Sequence, residues 1–509
     1  MKASDDLFQL IKSLSKSEKG YFKKFASLHI MGEKNNYVRL FDTIDKQRIF
    51  NEQEIISKLK KEKFIQHFAV VKNYLYNLLL KSLESFHDSI NAELNNHLIH
   101  IEILMGKGLY DSCEKIISIA KKKAEVNQKP LHLIQILQFE IFLVSRQKYE
   151  NKTEQDLLKI FDQISKAKKD YDNVFQYNQI FSSISILTAK YGGQKVQGNP
   201  ELKQIVENPL FQKEEHATSR ESLRLFYSAN YNYLNSQGKH KDAFKFAIKI
   251  SDLLEKIPEM KNDPFSYHFN TLSAMVATQL YLGDYSGAEI SLNKLKTLKI
   301  NSEFLKYRLF YLTSKYELFI CVEFNYGDGL TLVRKIERML SLEQGNNIAN
   351  KIDRRIIYVQ FITILVVFKK FEDASKYINK LLYEVTLRSE MRTFAKIMNH
   401  IIHIELENKE YLESIVRSTY RYLKKENQYY EFEKIWITFI KNKLISSGPK
   451  QKLIGDYLWL KDKIIEITNK ASHGSIAKYF EFIPWIDSKI ENRPLIEIIK
   501  EKQIQKRLL

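Results

Sequence analysis

The chain is poor in the residues that punctuate secondary structure. Its 509 residues include 16 glycines and 8 prolines. A β-sandwich or a Rossmann-type enzyme of this length needs many more turn residues. Sparse punctuation beside abundant Leu, Ile, Lys and Glu predicts long helices joined by short connections. Cysteine is scarcer still. Cys113 and Cys321 are the only two, which excludes a disulfide framework and a Cys-x-x-Cys metal site. Both lie in apolar helical text and read as buried thiols, consistent with a reducing compartment. Arginine is outnumbered by lysine, 16 to 64. The net charge of +19 points toward nucleic acid. Phosphate and base recognition favours arginine, however, and the basic residues are interleaved with acids, with no run longer than the three lysines at 121–123. The first reading is therefore a solvated lysine-rich surface, and the second an anionic partner.

Long apolar runs are absent as well. The longest, IIYVQFITILVVF at 356–368, has the length of a buried helix and not of a membrane span. The first residues, MKASDDLFQLIKSLSKSEKG, lack an apolar h-region. A soluble, cytoplasmic protein with no membrane span is expected. No Gly-Lys-Ser/Thr P-loop, Gly-x-Ser-x-Gly elbow or His-Glu-x-x-His motif occurs, and the glycine-containing stretch at 192–200 reads as a linker. His97/His100 and His400/His403 sit at i,i+3, on one helical face each. No Cys, Asp or Glu at a matching offset completes a metal site, so no metal, no cofactor and no catalytic residue is expected.

What the chain does contain is a repeated turn. In LYLGDYSGAEISLNKLKTL (280–298) an apolar pair ends one helix, Gly283 and Tyr285 mark a turn, and the small Ala288 opens the next helix. The same parts recur as Gly108, Tyr110 and Cys113; Gly238, His240 and Ala243; Tyr326 and Gly329; Phe371 and Ala374; and Tyr411 and Ser414. The second member falls at 110, 240, 285, 326, 371 and 411, a spacing of about 43 residues if two further hairpins lie between 125 and 225. The segments 131–146 with 154–169, and 174–193 with 199–211, fit those two. In TLSAMVATQLYL (271–282), Leu272, Met275, Val276 and Leu280 recur at helical spacing. A hairpin that is apolar on both sides must stack on its neighbours to bury them.

Gly-Asp-Tyr-x-x-Ala with an apolar residue following resembles the turn and second helix of a tetratricopeptide repeat, most closely at 275–295. The period of about 43 exceeds that family's 34, no repeat closes with proline, and Leu295, Ile250 and Leu381 stand at a later position that is small in the family. The resemblance implies an all-α, right-handed superhelix with helical caps at both ends: an N-terminal module at 1–88, a solenoid at 89–428 and a C-terminal cap at 429–509. It implies that Tyr110, Cys113, Gly238, Ala243, Gly283, Tyr285, Ala288, Phe371 and Ala374 pack hairpins together. It also implies a groove lined by first helices, which places Ser228, Asn232, Asn235, Asn270, Ser273, Ala277, Ser314, Thr363, Lys396, Asn399 and His403 toward a partner. Asn and Lys there would hold a peptide backbone or its carboxylate.

The ends carry other signals. Ser15-x-x-Glu18 and Asn51-x-x-Glu54 are helix N-caps, and 446–450 breaks the helical pattern. NEQEIISKLKKEKFIQHFAVVKNYL (51–75) reads as helix, turn, helix, with Gln66, His67, Lys72 and Asn73 near the start of the second. The expected function is a non-catalytic scaffold or adaptor that binds a protein or peptide. The alternative is a cytoplasmic transcriptional regulator with an N-terminal helix-turn-helix and a repeat-built sensor.

Overall fold

Helix is the only regular secondary structure among the described residues, as the shortage of glycine and proline requires. The computed structural model describes residues 5–28, 36–47, 49–87, 89–146, 153–191, 200–256, 267–298, 300, 303–324, 326–341, 348–384, 387, 389–426, 429–444, 450–469 and 480–508. The stretches 192–199 and 446–449 lie outside them. The chain divides into two compact units, Met1–Phe304 and Leu305–Leu509. The division falls inside the run assigned to one solenoid from sequence.

The first unit opens with helices α1 (Asp6–Ser13), α2 (Lys16–Leu28), α3 (Asn36–Asp45) and α4 (Glu52–Lys58), a 3₁₀ turn at Lys63–His67, and α5 (Phe68–Phe86). They enclose a core of their own that includes Ile11, Phe22, Leu40, Phe41, Ile55 and Leu75. Both capping signals operate. Ser15 N–H donates to Glu18 Oε2 at 2.6 Å and Glu18 N–H to Ser15 Oγ at 3.3 Å, while Glu54 N–H donates to Asn51 Oδ1 at 3.0 Å.

Next come α6 (Ile90–Gly106), α7 (Tyr110–Val126), α8 (Pro130–Arg146), α9 (Glu154–Tyr191), the short α10 (Pro200–Val206) and α11 (Pro209–Gln212), α12 (Arg220–Ser236), α13 (His240–Glu255), α14 (Tyr267–Leu282) and α15 (Tyr285–Lys296). Each long helix packs on the next in sequence, as in a helical repeat. One expectation fails here. The turn placed between 169 and 174 does not exist, because α9 runs unbroken for 38 residues. Its sequence holds no glycine or proline, and its buried row (Ile160, Ala167, Tyr177, Ile180, Ile184, Leu187) continues through the supposed break. This helix packs on both α8 and α12, so one element does the work of two.

The second unit begins two residues into α16 (Glu303–Phe324) and continues with a 3₁₀ turn at Tyr326–Asp328, α17 (Gly329–Ser341), α18 (Ile348–Val367), α19 (Phe371–Leu382), α20 (Ser389–Glu405), α21 (Lys409–Lys425), α22 (Glu431–Thr438) with a π-helical extension at Phe439–Leu444, α23 (Lys450–Asn469), α24 (Phe482–Glu491) and α25 (Leu495–Leu508). Trp436 and Trp485 lie in its core, 5.7 Å apart between ring centroids, with Phe432, Phe439, Phe482 and Tyr457 around them. Gln503 on α25 reaches back to the 3₁₀ turn. Its Nε2 donates to Val322 O at 2.8 Å, and its Oε1 accepts from Tyr326 N–H at 3.3 Å.

The repeated turn has a common geometry. A left-handed residue ends the first helix at Gly108, Gly238, Gly283, Lys369 and Glu407. The next N–H bonds five residues back: Leu109 to Leu104 O, Lys239 to Leu234 O, Asp284 to Gln279 O, Lys370 to Leu365 O and Asn408 to His403 O, at 2.8–3.0 Å. This is the Schellman closure. Five positions after the left-handed residue a side chain is buried against the first helix: Cys113, Ala243, Ala288, Ala374 and Leu412. The last hairpin therefore shifts by two residues from the sequence reading. Lys409 and Leu412 hold the places given to Tyr411 and Ser414, which are exposed, because Glu407 and not Lys409 takes the left-handed conformation.

Two glycines are held by space. A Cβ on Gly329 would lie 2.8 Å from Ile364 Cγ2, and one on Gly287 would lie 2.1 Å from Asp284 Oδ2 and 2.2 Å from Gln279 Nε2. In urea unfolding, Gly329→Ala is expected to lose about 1–3 kcal/mol through overpacking. Lys369→Gly is expected to gain about 1 kcal/mol by relieving a left-handed side-chain residue. Unchanged stability of the Gly329 variant would contradict the close approach to α18.

Candidate functional site

The positions assigned to a groove from sequence have different fates. On α12, Ser228 Oγ donates to Arg224 O of its own helix at 2.8 Å. Asn232 Nδ2 donates to Ser185 Oγ on α9 at 3.0 Å, and Asn235 Oδ1 meets His240 Nδ1 at 2.9 Å. On α14, Asn270 and Ala277 are exposed and Ser273 is half-buried. In the second unit Ser314 and Thr363 are buried. On α20, Asn399 is half-buried. Lys396 lies over the Tyr422 ring at 5.1 Å, its pKa lowered by burial and then by the charge of Arg392. His403 faces the Tyr411 ring at 4.4 Å.

Polar groups tie one such helix to the next. Tyr231 Oη donates to Ala274 O at 3.2 Å, Arg354 Nη2 to Tyr311 Oη at 3.2 Å and Gln360 Nε2 to Lys315 O at 3.2 Å. With the Asn232 bond they span 43–47 residues of sequence. The repeat length thus reappears as the reach of its cross-links. Asn232, read from sequence as a partner-binding residue, lies in that set.

An open surface lies elsewhere on the same class of helix. The first helices α6 and α8 pack on each other and leave a trough of about 530 Å³ between Ile99 and Glu102 on one wall and Gln135, Gln138, Phe139 and Phe142 on the other. Ile99 is 49% exposed, Ile103 50% and Phe142 43%. His132 Nε2 meets Asn95 Oδ1 across the two helices at 3.2 Å, and the Arg146 guanidinium lies over the Phe142 ring at 4.8 Å. Sequence reasoning missed this trough. Its signal was the apolar character of α6 and α8 outside the packing stripe, where Ile99, Ile103, Leu131 and Phe142 have no place in a single amphipathic face.

The histidine pair at 400 and 403 separates. His400 is fully buried. Trp436 Nε1–H donates to its Nδ1 at 3.2 Å, which leaves the proton on Nε2, 3.0 Å from Thr419 Oγ1. The Thr419 hydroxyl donates onward to Ile415 O at 2.8 Å. Both ring nitrogens are thus engaged, and burial pulls the pKa down to about 3. Three residues before Trp436, Glu433 is also buried, and its Oε2 has no hydrogen-bond partner among the described residues. Desolvation pushes its carboxyl up to about 7, against hydrogen bonds from the backbone of Glu433 and Tyr430 that favour ionisation. His97 Nε2 stands 3.8 Å from Glu93. Among the described residues no group of three His, Cys, Asp or Glu is placed to hold a metal.

Both cysteines are buried, and neither forms a disulfide. Burial raises the Cys113 thiol, and burial together with the Asp328 charge raises Cys321 to about 12. Among the described residues no helix is long and apolar enough to cross a membrane. No protein-family model matches the chain, and no curated protein matches it.

The two buried groups give opposite pH slopes. Glu433 titrates near 4.5 when unfolded and about 7 when folded. The folded state holds the extra proton in that window, so its contribution is full below 4.5 and is lost as pH rises through 7, by about 3 kcal/mol. His400 titrates near 6.5 unfolded and about 3 folded, so its contribution is full above 6.5 and is lost as pH falls toward 3. In urea unfolding across pH, Glu433→Gln is expected to abolish the decline between 4.5 and 7, and His400→Gln the decline on the acid side. A Glu433→Gln profile parallel to wild type would show that the carboxyl is hydrated in the folded protein. Both thiols are expected to resist Ellman's reagent until urea unfolds the chain, and a native thiol that reacts within seconds would contradict its burial.

Proposed function

We propose that this protein is a non-catalytic scaffold or adaptor that binds a protein or peptide on the first-helix face of its helical hairpins, in a right-handed superhelix of the tetratricopeptide-like kind. The α6–α8 trough carries the reading. Two adjacent first helices keep Ile99, Ile103 and Phe142 open to solvent beside the amides of Gln135 and Gln138. Exposed apolar side chains next to exposed glutamine amides suit a peptide that supplies apolar anchors and a backbone to be hydrogen-bonded. A few such anchors supply most of the affinity of an interface. Asn270, exposed on α14, is the sequence-assigned groove residue that best fits the same role.

The regulator alternative draws less support. In its would-be reading helix, Lys72 pairs with Glu52 at 3.2 Å and lies over the Phe68 ring. Gln66 and His67 in the 3₁₀ turn and Asn73 on α5 are exposed, but so are Val70 and Leu80 on α5. An apolar outer face suits protein contact better than a phosphate backbone.

Tagged wild type and the Ile99→Asp/Phe142→Asp variant, compared for retained proteins, test the proposal. Both positions are exposed, so helical circular dichroism should stay unchanged while a specific protein is lost from the variant. Identical retention by both would sink the trough reading. A saturable electrophoretic shift of a DNA fragment at physiological salt would favour the regulator instead.

A further inference from the structure

A second surface, in the unit Leu305–Leu509, differs in chemistry from the trough. The rings of Tyr420 on α21 and Tyr429 in the connection to α22 meet edge to face, 5.3 Å apart and at 86°. Three ammonium groups converge on this pair. Lys441 Nζ lies 4.5 Å from the Tyr420 centroid. Lys424 lies 4.8 Å from Tyr429 and 5.9 Å from Tyr420, and Lys434 lies 5.9 Å from Tyr429. The rings are half-buried. Lys424 and Lys434 are exposed, and Lys441 is half-buried.

Other lysines of this unit pair with acids, as in Lys376–Glu337, Lys461–Asp487, Lys489–Glu405 and Lys502–Glu481, while Lys396, over the Tyr422 ring, lies singly beside Arg392. Here, among the described residues, no carboxylate lies within ion-pair distance of any of the three. A tyrosine face attracts an ammonium group through its quadrupole, but it carries no net charge and leaves the mutual repulsion of the cations in place. The result is a concentration of positive charge over two tyrosine rings, and an incoming anion relieves the repulsion.

The anion class follows from what the patch offers. Each ring carries two ammonium groups within 5.9 Å of its centroid, which compete with a nucleobase for stacking on it. The three convergent cations are lysines, point charges that take a carboxylate as readily as a phosphate. They lack the planar fork that arginine brings to phosphate and base edges. The neighbouring Arg417 is paired with Glu413 at 3.4 Å. We propose that Lys424, Lys434 and Lys441, held by Tyr420 and Tyr429, form a docking site for an acidic peptide segment of a protein partner, one that presents several Asp or Glu side chains together. This inference stands on its own surface and needs nothing from the α6–α8 trough.

The test uses the whole 509-residue chain and a fluorescein-labelled peptide of glutamates, read by fluorescence anisotropy. A glutamine peptide of equal length and a single-stranded oligonucleotide of equal charge serve as comparisons. Saturable binding of the glutamate peptide is expected, weakened as salt rises past the range where the screening length falls below about 10 Å, with none of the glutamine peptide. Lys424→Gln/Lys434→Gln/Lys441→Gln should weaken it by roughly tenfold or more, and the corresponding Lys→Arg triple should retain it. A control triple in the first unit, Lys115→Gln/Lys122→Gln/Lys166→Gln, removes the same charge and should leave binding within about twofold. Equal losses in the two glutamine triples would overturn the proposal, as would no binding of the glutamate peptide. Tighter oligonucleotide binding, lost in the first triple, would also overturn it and assign the patch to nucleic acid. The Ile99→Asp/Phe142→Asp variant should bind the glutamate peptide like wild type, so the trough and this patch fail separately.

Discussion

The structure depends on one recurring contact: the burial of a side chain five residues past a left-handed turn residue, against the helix that precedes the turn. Cys113, Ala243, Ala288 and Ala374 are fully buried there, and Gly329, which follows a 3₁₀ turn instead of a left-handed residue, approaches Ile364 closely without even a Cβ. The Schellman bond settles the end of the first helix, and the buried residue settles how closely the second approaches. Once those two are fixed, the apolar stripes of each hairpin have one direction in which to find cover, which is the next hairpin. The succession of packed helix pairs in each unit follows from that local rule repeated, with α9 as the place where the rule is suspended.

Much of this was legible in the residues. Gly283, Tyr285 and Ala288 announced the turn, and Gly238 with Ala243 and Gly108 with Cys113 repeated it. The legible part was local chemistry: glycine for positive φ, a small residue for close approach, an apolar stripe for burial. Where a different residue took the strained position, the signal vanished. Glu407 is left-handed at φ 54 and Lys369 at φ 57. Neither residue type advertises that conformation, and so the last hairpin was read two residues out of register. The continuity of α9 was hidden for the opposite reason. A period inferred from neighbours demanded a turn that the local sequence, without glycine or proline, had no means to make.

The candidate surfaces were less legible than the fold. Polar residues on first helices look like partner contacts in sequence. Asn232 and Tyr231 instead join successive helices, because a hydrogen bond between neighbours and one to a ligand require the same side chain. Ile99 and Phe142 look like core residues and are exposed, since a helix face is core or surface according to what stacks on it, which periodicity does not state. The lysines around Tyr420 and Tyr429 come from three elements (α21, α22 and the π-helical extension), and only the fold brings them together.

Gln503 alters how the second unit must behave as a physical system. A linear stack of hairpins has contacts only between neighbours, so it can fray from either end, and each segment's stability is set locally. The two hydrogen bonds from Gln503 to Val322 and Tyr326 span 181 and 177 residues and join far-separated parts of that stack. A closed circuit has no free end to fray within it. Loss of any segment between those points releases α25 as well, so the unit gains cooperativity over its length, and the closing step carries the entropic cost of a large loop. Its order of assembly is correspondingly constrained: the turn at Tyr326 can form early, but it acquires its final cover only when a segment some 180 residues downstream has folded and returned.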